Sequence, residues 1–91
     1  MTCEIDFCYS SNDGNALHFV LTVDLPFEPK AGMALLPADF VTPAIVTLAV
    51  WSIPTRGWLV EAVGTADLTE LTKKLTLLGV PYQMGRDDRD G

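Results

Sequence analysis

From Cys3 to Tyr9 apolar and polar residues alternate, Cys3, Ile5, Phe7 and Tyr9 against Glu4, Asp6 and Cys8. That is the period of a half-buried strand. The alternation resumes from Ala16 to Leu25, with Leu17, Phe19, Leu21, Val23 and Leu25 on one face and His18, Val20, Thr22 and Asp24 on the other. The turn formers "SSNDGN" lie between the two runs, which together predict a hairpin.

Because side chains repeat every two residues, a one-residue slip would set the apolar face of one strand against the polar face of the other. A two-residue Asp13-Gly14 turn would pair Tyr9 with His18 and Asp6 with Leu21. A three-residue loop of Asn12, Asp13 and a left-handed Gly14 pairs Tyr9 with Leu17, Phe7 with Phe19, Ile5 with Leu21 and Cys3 with Val23, so this register is expected. It also puts Cys8 opposite His18, on the face that carries Glu4, Asp6, Thr22 and Asp24.

The stretch "PFEPKAGMALLPADFVTP" holds too many prolines for a helix and reads as an irregular crossing, with a short strand at Met33 to Leu36. Ala44–Ile53 and Trp58–Gly64, rich in β-branched and aromatic residues and separated by "PTRG", predict a second hairpin. Strict alternation places Val46, Leu48 and Val50 on one face of its first strand and Ile45, Ala49, Trp51 and Ile53 on the other. A strand apolar on both faces is expected at the centre of a sheet, covered on both sides.

Leu68, Leu71, Leu75 and Leu78 recur at helical spacing and predict a helix over Leu68–Leu78. Asp67 and Glu70 have the spacing of a capping box, Gly79 supplies a left-handed stop, and Pro81 forbids continuation. "VPYQM" is then a last strand, held by its proline to an edge or to that residue as its first. Strand–helix–strand links are almost always parallel crossovers, so it is expected to run parallel to Trp58–Gly64 in the same sheet. The pattern specifies one α+β domain over residues 1–85, a mainly antiparallel sheet of four to five strands with one C-terminal amphipathic helix, followed by a disordered polar tail at 86–91. A small, partly open barrel plugged by the helix is the alternative.

Composition narrows the classes. The chain has 91 residues, 48% of them hydrophobic, with a net charge of −6. It is too apolar for a disordered acidic segment, and its longest uncharged apolar run, Phe40–Ile53, is broken by Pro43 and too short for a membrane span. "MTCEIDF" lacks the features of an export signal, which leads to a cytoplasmic expectation. Cys3 and Cys8 point to opposite faces of one strand and cannot bridge, so both are expected reduced.

The first half holds the acids Glu4, Asp6, Asp13, Asp24, Glu28 and Asp39 against the single base Lys30, while the second is nearly balanced. A negative half repels phosphate backbones, which disfavours direct nucleic-acid binding and permits a basic protein partner.

Candidate chemistry is sparse. Cys8 and His18 could form a thiol–imidazole pair oriented by Asp6 or Asp24, supporting a small-molecule-binding or thiol-dependent catalytic domain. No cysteine-enzyme signature surrounds Cys8, and strand alternation alone produces such neighbours. One histidine and two divergent cysteines cannot supply a zinc site from this hairpin. "VGTADL" lacks the lysine of a phosphate loop, and Asp67 sets negative charge where a phosphate would dock. No metal and no cofactor is therefore expected.

Trp51 and Trp58 flank a turn containing Arg56, a composition found in binding hot spots. One 11-residue helix covers only one face of such a sheet, yet Val20 and Val60 or Val63 add to apolar residues on a second side, and exposed apolar patches mark interaction surfaces. The expectation is a small acidic, non-enzymatic protein-interaction domain that binds a larger protein, homo-oligomerises, or both. Its expected contact residues are Trp51, Arg56, Trp58, Glu4, Asp6 and Asp24.

Overall fold

A computed structural model of the chain describes residues 2–37 and 42–86. In chain order it contains β1 (Thr2–Ser10), β2 (Asn15–Asp24), β3 (Ala34–Leu35), β4 (Ala44–Ser52), β5 (Gly57–Thr65), α1 (Leu68–Leu78) and β6 (Gln83–Arg86). The strands form one open sheet in the order β3-β4-β5-β1-β2-β6, not a barrel.

The first hairpin has the register that its alternation demands: Tyr9 pairs with Leu17, Phe7 with Phe19, Ile5 with Leu21, Cys3 with Val23, and Cys8 with His18. Its loop is closed by the Ser11 N–H donating to the Asn15 carbonyl at 3.0 Å, with Gly14 in the left-handed region at φ 85°. A side chain is strained there, and glycine is not. The Ser11 hydroxyl donates to the Asp13 carboxylate, which also accepts from the Asn15 N–H at 3.2 Å. These bonds, the serine's foremost, hold the Asp13 carboxyl below its ordinary range.

The sheet is mainly antiparallel, as expected, in four of its five pairings, but it departs from expectation in number and at one join. It has six strands among the described residues, and it is mixed, because β1 and β5 pair in parallel at its centre. Alternation pairs strands that are neighbours in the chain but carries no information on which strands of two hairpins join. β6 pairs antiparallel with β2. Since β2 opposes β1 and β1 follows β5, β6 does run parallel to β5, with two strands standing between them. Arg86 ends this strand, and residues 87–91 of the expected tail lie outside those described.

β4 is not the central strand. It lies one from the edge, and a bulge at Thr47 reverses its alternation. Val46 pairs with Ala62 and Leu48 with Glu61, so Thr47 is the extra residue, and its hydroxyl donates to the Glu61 carbonyl at 3.3 Å. One inserted residue turns everything after it to the opposite face. Ala44, Val46, Ala49 and Trp51 consequently share one side of β4, and Ile45, Leu48 and Val50 share the other.

The hydrophobic core lies between one face of the sheet and α1. Cys3, Ile5, Phe7 and Tyr9 from β1 meet Leu17 and Phe19 from β2, Val46 from β4, Val60 and Ala62 from β5, and Leu68, Leu71 and Leu75 from α1. The rings of Phe7 and Phe19 stack with centroids 5.0 Å apart. Asp67 caps α1 by accepting from the Thr69 N–H at 3.0 Å. At the other end Gly79 is left-handed, its N–H donating to the Thr76 carbonyl and that of Val80 to Leu75. This is a Schellman motif, and Val80 packs back onto the core that holds Leu75. Leu78, expected on the buried stripe, is 59% exposed, since the helix there has reached its cap.

Leu25, just after β2, and Met33 and Leu35 from the proline-rich crossing pack against this same core. The crossing is tied to β4 by the Gly32 N–H donating to the Val46 carbonyl and the Val46 N–H to that of Met33, both at 2.8 Å. Tyr9 is fully buried, and its hydroxyl donates to the Thr42 carbonyl at 2.5 Å. Its ring lies over Gly64, where an added Cβ would come within 2.7 Å of a ring carbon. Burial pushes the Tyr9 phenol up to about 12.

Candidate interaction face

With α1 and, from the described part of the crossing, Met33 and Leu35 on one side of the sheet, the alternate positions of the same strands form a second face. β4 contributes Ile45, Leu48 and Val50, β5 contributes Leu59, Glu61 and Val63, β1 contributes Glu4, Asp6 and Cys8, and β2 contributes His18, Val20, Thr22 and Asp24. Ile45, Leu48, Val50, Leu59 and Val20 are each between 38% and 47% exposed. Val50 pairs with Leu59, Leu48 with Glu61 and Ile45 with Val63, so Ile45, Leu48 and Val50 form a continuous apolar strip on β4, joined on β5 by Leu59 at one end and Val63 at the other. Apolar side chains in such adjacent positions are expected to be covered, and none of the described residues covers them.

The strip has an acidic border. Glu4 lies beside Leu59 and Asp6 beside Glu61 in the parallel β1–β5 register, and all three carboxylates are exposed. Neither lysine nor arginine occurs in β1, β2, β4 or β5. Repulsion within the trio is therefore not offset from these strands, and like charges in directly facing sheet positions are destabilising.

Cys8 Sγ and His18 Nε2 approach to 3.6 Å on this face. The geometry brings a thiol and an imidazole into contact, as expected from the hairpin register, but on an exposed sheet surface. Beside them Asp6, His18, Val20, Tyr82 and Gln83 line a shallow groove of about 620 Å³. No cluster of three or more His, Cys, Asp or Glu suited to a metal occurs among the described residues. Cys3, on the core side, is buried, and desolvation raises its pKa.

The six contact residues expected from the sequence divide between the two sides. Glu4, Asp6 and Asp24 are on the open face. Trp51 and Trp58 pair across β4 and β5 on the helix side, because Trp58 aligns with the buried Cys3. Their rings meet edge to face at 5.7 Å, with Trp58 half-buried against the core and Trp51 52% exposed. Arg56 sits in the turn with a left-handed backbone, φ 52°, a conformation expected of a glycine. Gly57 instead serves close approach, since a Cβ there would lie 3.0 Å from the Thr2 carbonyl. The tryptophans and the acids therefore do not form one patch. Val60, a candidate for the second face, is a core residue, whereas Val20 and Val63 do face outward.

A second groove, about 660 Å³, lies between the β1–β2 loop and the start of α1, lined by Ser10, Asp13, Thr65, Asp67 and Thr69 among others. Its carboxylates oppose phosphate binding, as the sequence around Asp67 suggests. No helix among the described residues is long and apolar enough to cross a membrane. Searches of protein-family models, curated proteins and solved structures find nothing that matches this chain.

Proposed function

We propose that this is a non-enzymatic protein-interaction domain whose docking surface is the open sheet face. The observation that carries the reading is the exposed strip of Ile45, Leu48, Val50 and Leu59 on adjacent strands, with nothing in the described chain placed over it. Covering apolar surface contributes roughly 25 cal/mol per Å², so such a strip favours a second macromolecular surface over water. The function requires no metal or cofactor. Its scale suits an inhibitor, an immunity-type protein, a phage accessory factor or an assembly subunit acting in the cytoplasm.

The test combines sedimentation of the purified chain with affinity capture. Wild-type protein associates, with itself or with a retained partner. Leu48→Asp with Val50→Asp abolishes that association, while Glu70→Gln on the exposed side of α1 leaves it intact. A concentration-independent monomer that retains nothing, or association indifferent to the paired substitution, overturns the reading.

The 3.6 Å Cys8–His18 contact supports a second reading, a thiol-dependent or small-molecule-binding site on the same face. It predicts that His18→Ala slows alkylation of Cys8 at least tenfold in the folded protein. Equal rates in wild type and variant remove it.

A further inference from the structure

We infer that the open face receives a basic amphipathic helix from a partner protein, its apolar stripe over β4 and β5 and its Lys/Arg row over β1. This rests on the reading of that face as a docking surface and names what docks there.

Three observations point to this occupant. The first is the layout of the face in two parallel bands. The apolar band is the row Ile45, Leu48 and Val50 of β4 with Leu59 and Val63 of β5, and the acidic band is Glu4 and Asp6 of β1 with Glu61, which stands between Leu59 and Val63 on β5. Adjacent strands are about 4.8 Å apart, so the centre of β4 is about 10 Å from the centre of β1. A helix with its side chains is about 10–12 Å across, so a single helix laid along β5 spans both bands. Nine residues of β5 extend for about 30 Å, matched by about 20 residues of helix.

The second is electrostatic. Glu4, Asp6 and Glu61 are neighbours, and the four strands beneath them carry no cation. A row of lysine or arginine side chains would neutralise three carboxylates that otherwise repel one another, and long stems on those cations would also cover part of Leu59. A second copy of this chain fits worse, since it brings the same carboxylates and a net charge of −6. A nucleic acid brings more negative charge still.

The third is that the fold already uses this form of cover. On its other face the leucine stripe of α1, Leu68, Leu71 and Leu75, closes the core that Val46 of β4 and Val60 and Ala62 of β5 enter. The open face has the same strand spacing and one charge border in addition.

The test uses the full chain, labelled with ¹⁵N, and three synthetic 18-residue peptides. One places leucine at helical spacing with lysine elsewhere, one replaces each lysine by glutamate, and one scrambles the first so that no stripe remains. The Leu/Lys peptide is expected to shift the amides of Glu4, Asp6, Val50, Leu59 and Glu61 and not those of the exposed side of α1. Its affinity falls at least tenfold on scrambling, at least tenfold in Glu4→Gln/Asp6→Asn/Glu61→Gln, and with added salt. The triple variant is also expected to raise the midpoint of unfolding, because it removes the repulsion; a variant that merely failed to fold would lower it. The inference is overturned by equal binding of the scrambled or Leu/Glu peptide, by shifts centred on α1, or by no binding. It is also overturned if the chain dimerises through this face. In that last case, or if peptide binding is absent while Leu48→Asp/Val50→Asp still abolishes association with another protein, the docking face stands and only its helical, basic occupant falls.

Discussion

The two faces of the sheet contrast sharply along β1 and much less along β4 and β5. β1 supplies Cys3, Ile5, Phe7 and Tyr9 to the side beneath α1, each at most 3% exposed, and Glu4, Asp6 and Cys8 to the other. β4 and β5 do not divide so cleanly. They send Val46, Val60 and Ala62 inward and Ile45, Leu48, Val50 and Leu59 outward, so both of their faces are apolar. A sheet face meant for water alternates with polar residues, as β1 does. The contrast between β1 and its neighbours therefore separates a polar outer row from one that exposes apolar side chains.

The sharpest way to break this contrast is truncation on each side. Phe7→Ala is expected to cost about 3–5 kcal/mol and Leu71→Ala about 2–5 kcal/mol, because each opens a cavity in a packed core. Leu48→Ala and Val50→Ala are expected to change stability by no more than about 0.5 kcal/mol, as for ordinary surface sites. Urea unfolding curves decide; a cost of about 2 kcal/mol or more at Leu48 would mean that the outer strip is already covered within one chain.

A smaller effect tests how tightly the inner face is built. Gly64→Ala forces a Cβ against the Tyr9 ring and is expected to destabilise by about 1–3 kcal/mol, read as a fall in the denaturation midpoint. Tyr9 also ties that face to pH. Its phenol ionises near 10 in the unfolded chain and near 12 in the fold, so the unfolded state gives up its proton first. The stability this contributes is complete below pH 10 and is lost as pH rises from about 10 to about 12. Tyr9→Phe should flatten that stretch of the stability profile, and a persisting decline of the same size would assign it to other groups. Last, Asp67→Ala removes the cap of α1 and is expected to cost about 1 kcal/mol by thermal unfolding, with the open face unchanged.

Much of this architecture was legible from local pattern. The β1–β2 register follows from period two and a loop with glycine at its left-handed position. The bounds of α1 follow from Asp67, the leucine spacing and Gly79. These features are set by neighbours in sequence, where propensity and patterning act directly. The parallel join of β1 to β5 is set by which hairpin edges meet, and no residue advertises it. The bulge at Thr47 is equally silent, since Thr suits a regular strand as well as a bulge, yet it decides which of Leu48, Ala49 and Val50 face outward. That one residue explains why the acids of the candidate face could be placed from alternation while its apolar half could not. Trp51 and Trp58 had the composition of a contact patch, but register with the buried Cys3 puts them on the other side of the sheet.

The account turns on whether the outer strip is open in a single chain. The direct measurement is paramagnetic relaxation of side-chain methyl signals by a soluble gadolinium chelate, made on the purified 91-residue chain at a dilution where it is monomeric. The account predicts strong relaxation at the methyls of Ile45, Leu48, Val50 and Leu59 and protection at Leu17, Val46, Val60 and Leu71. Equal protection of both sets in the monomer would contradict it.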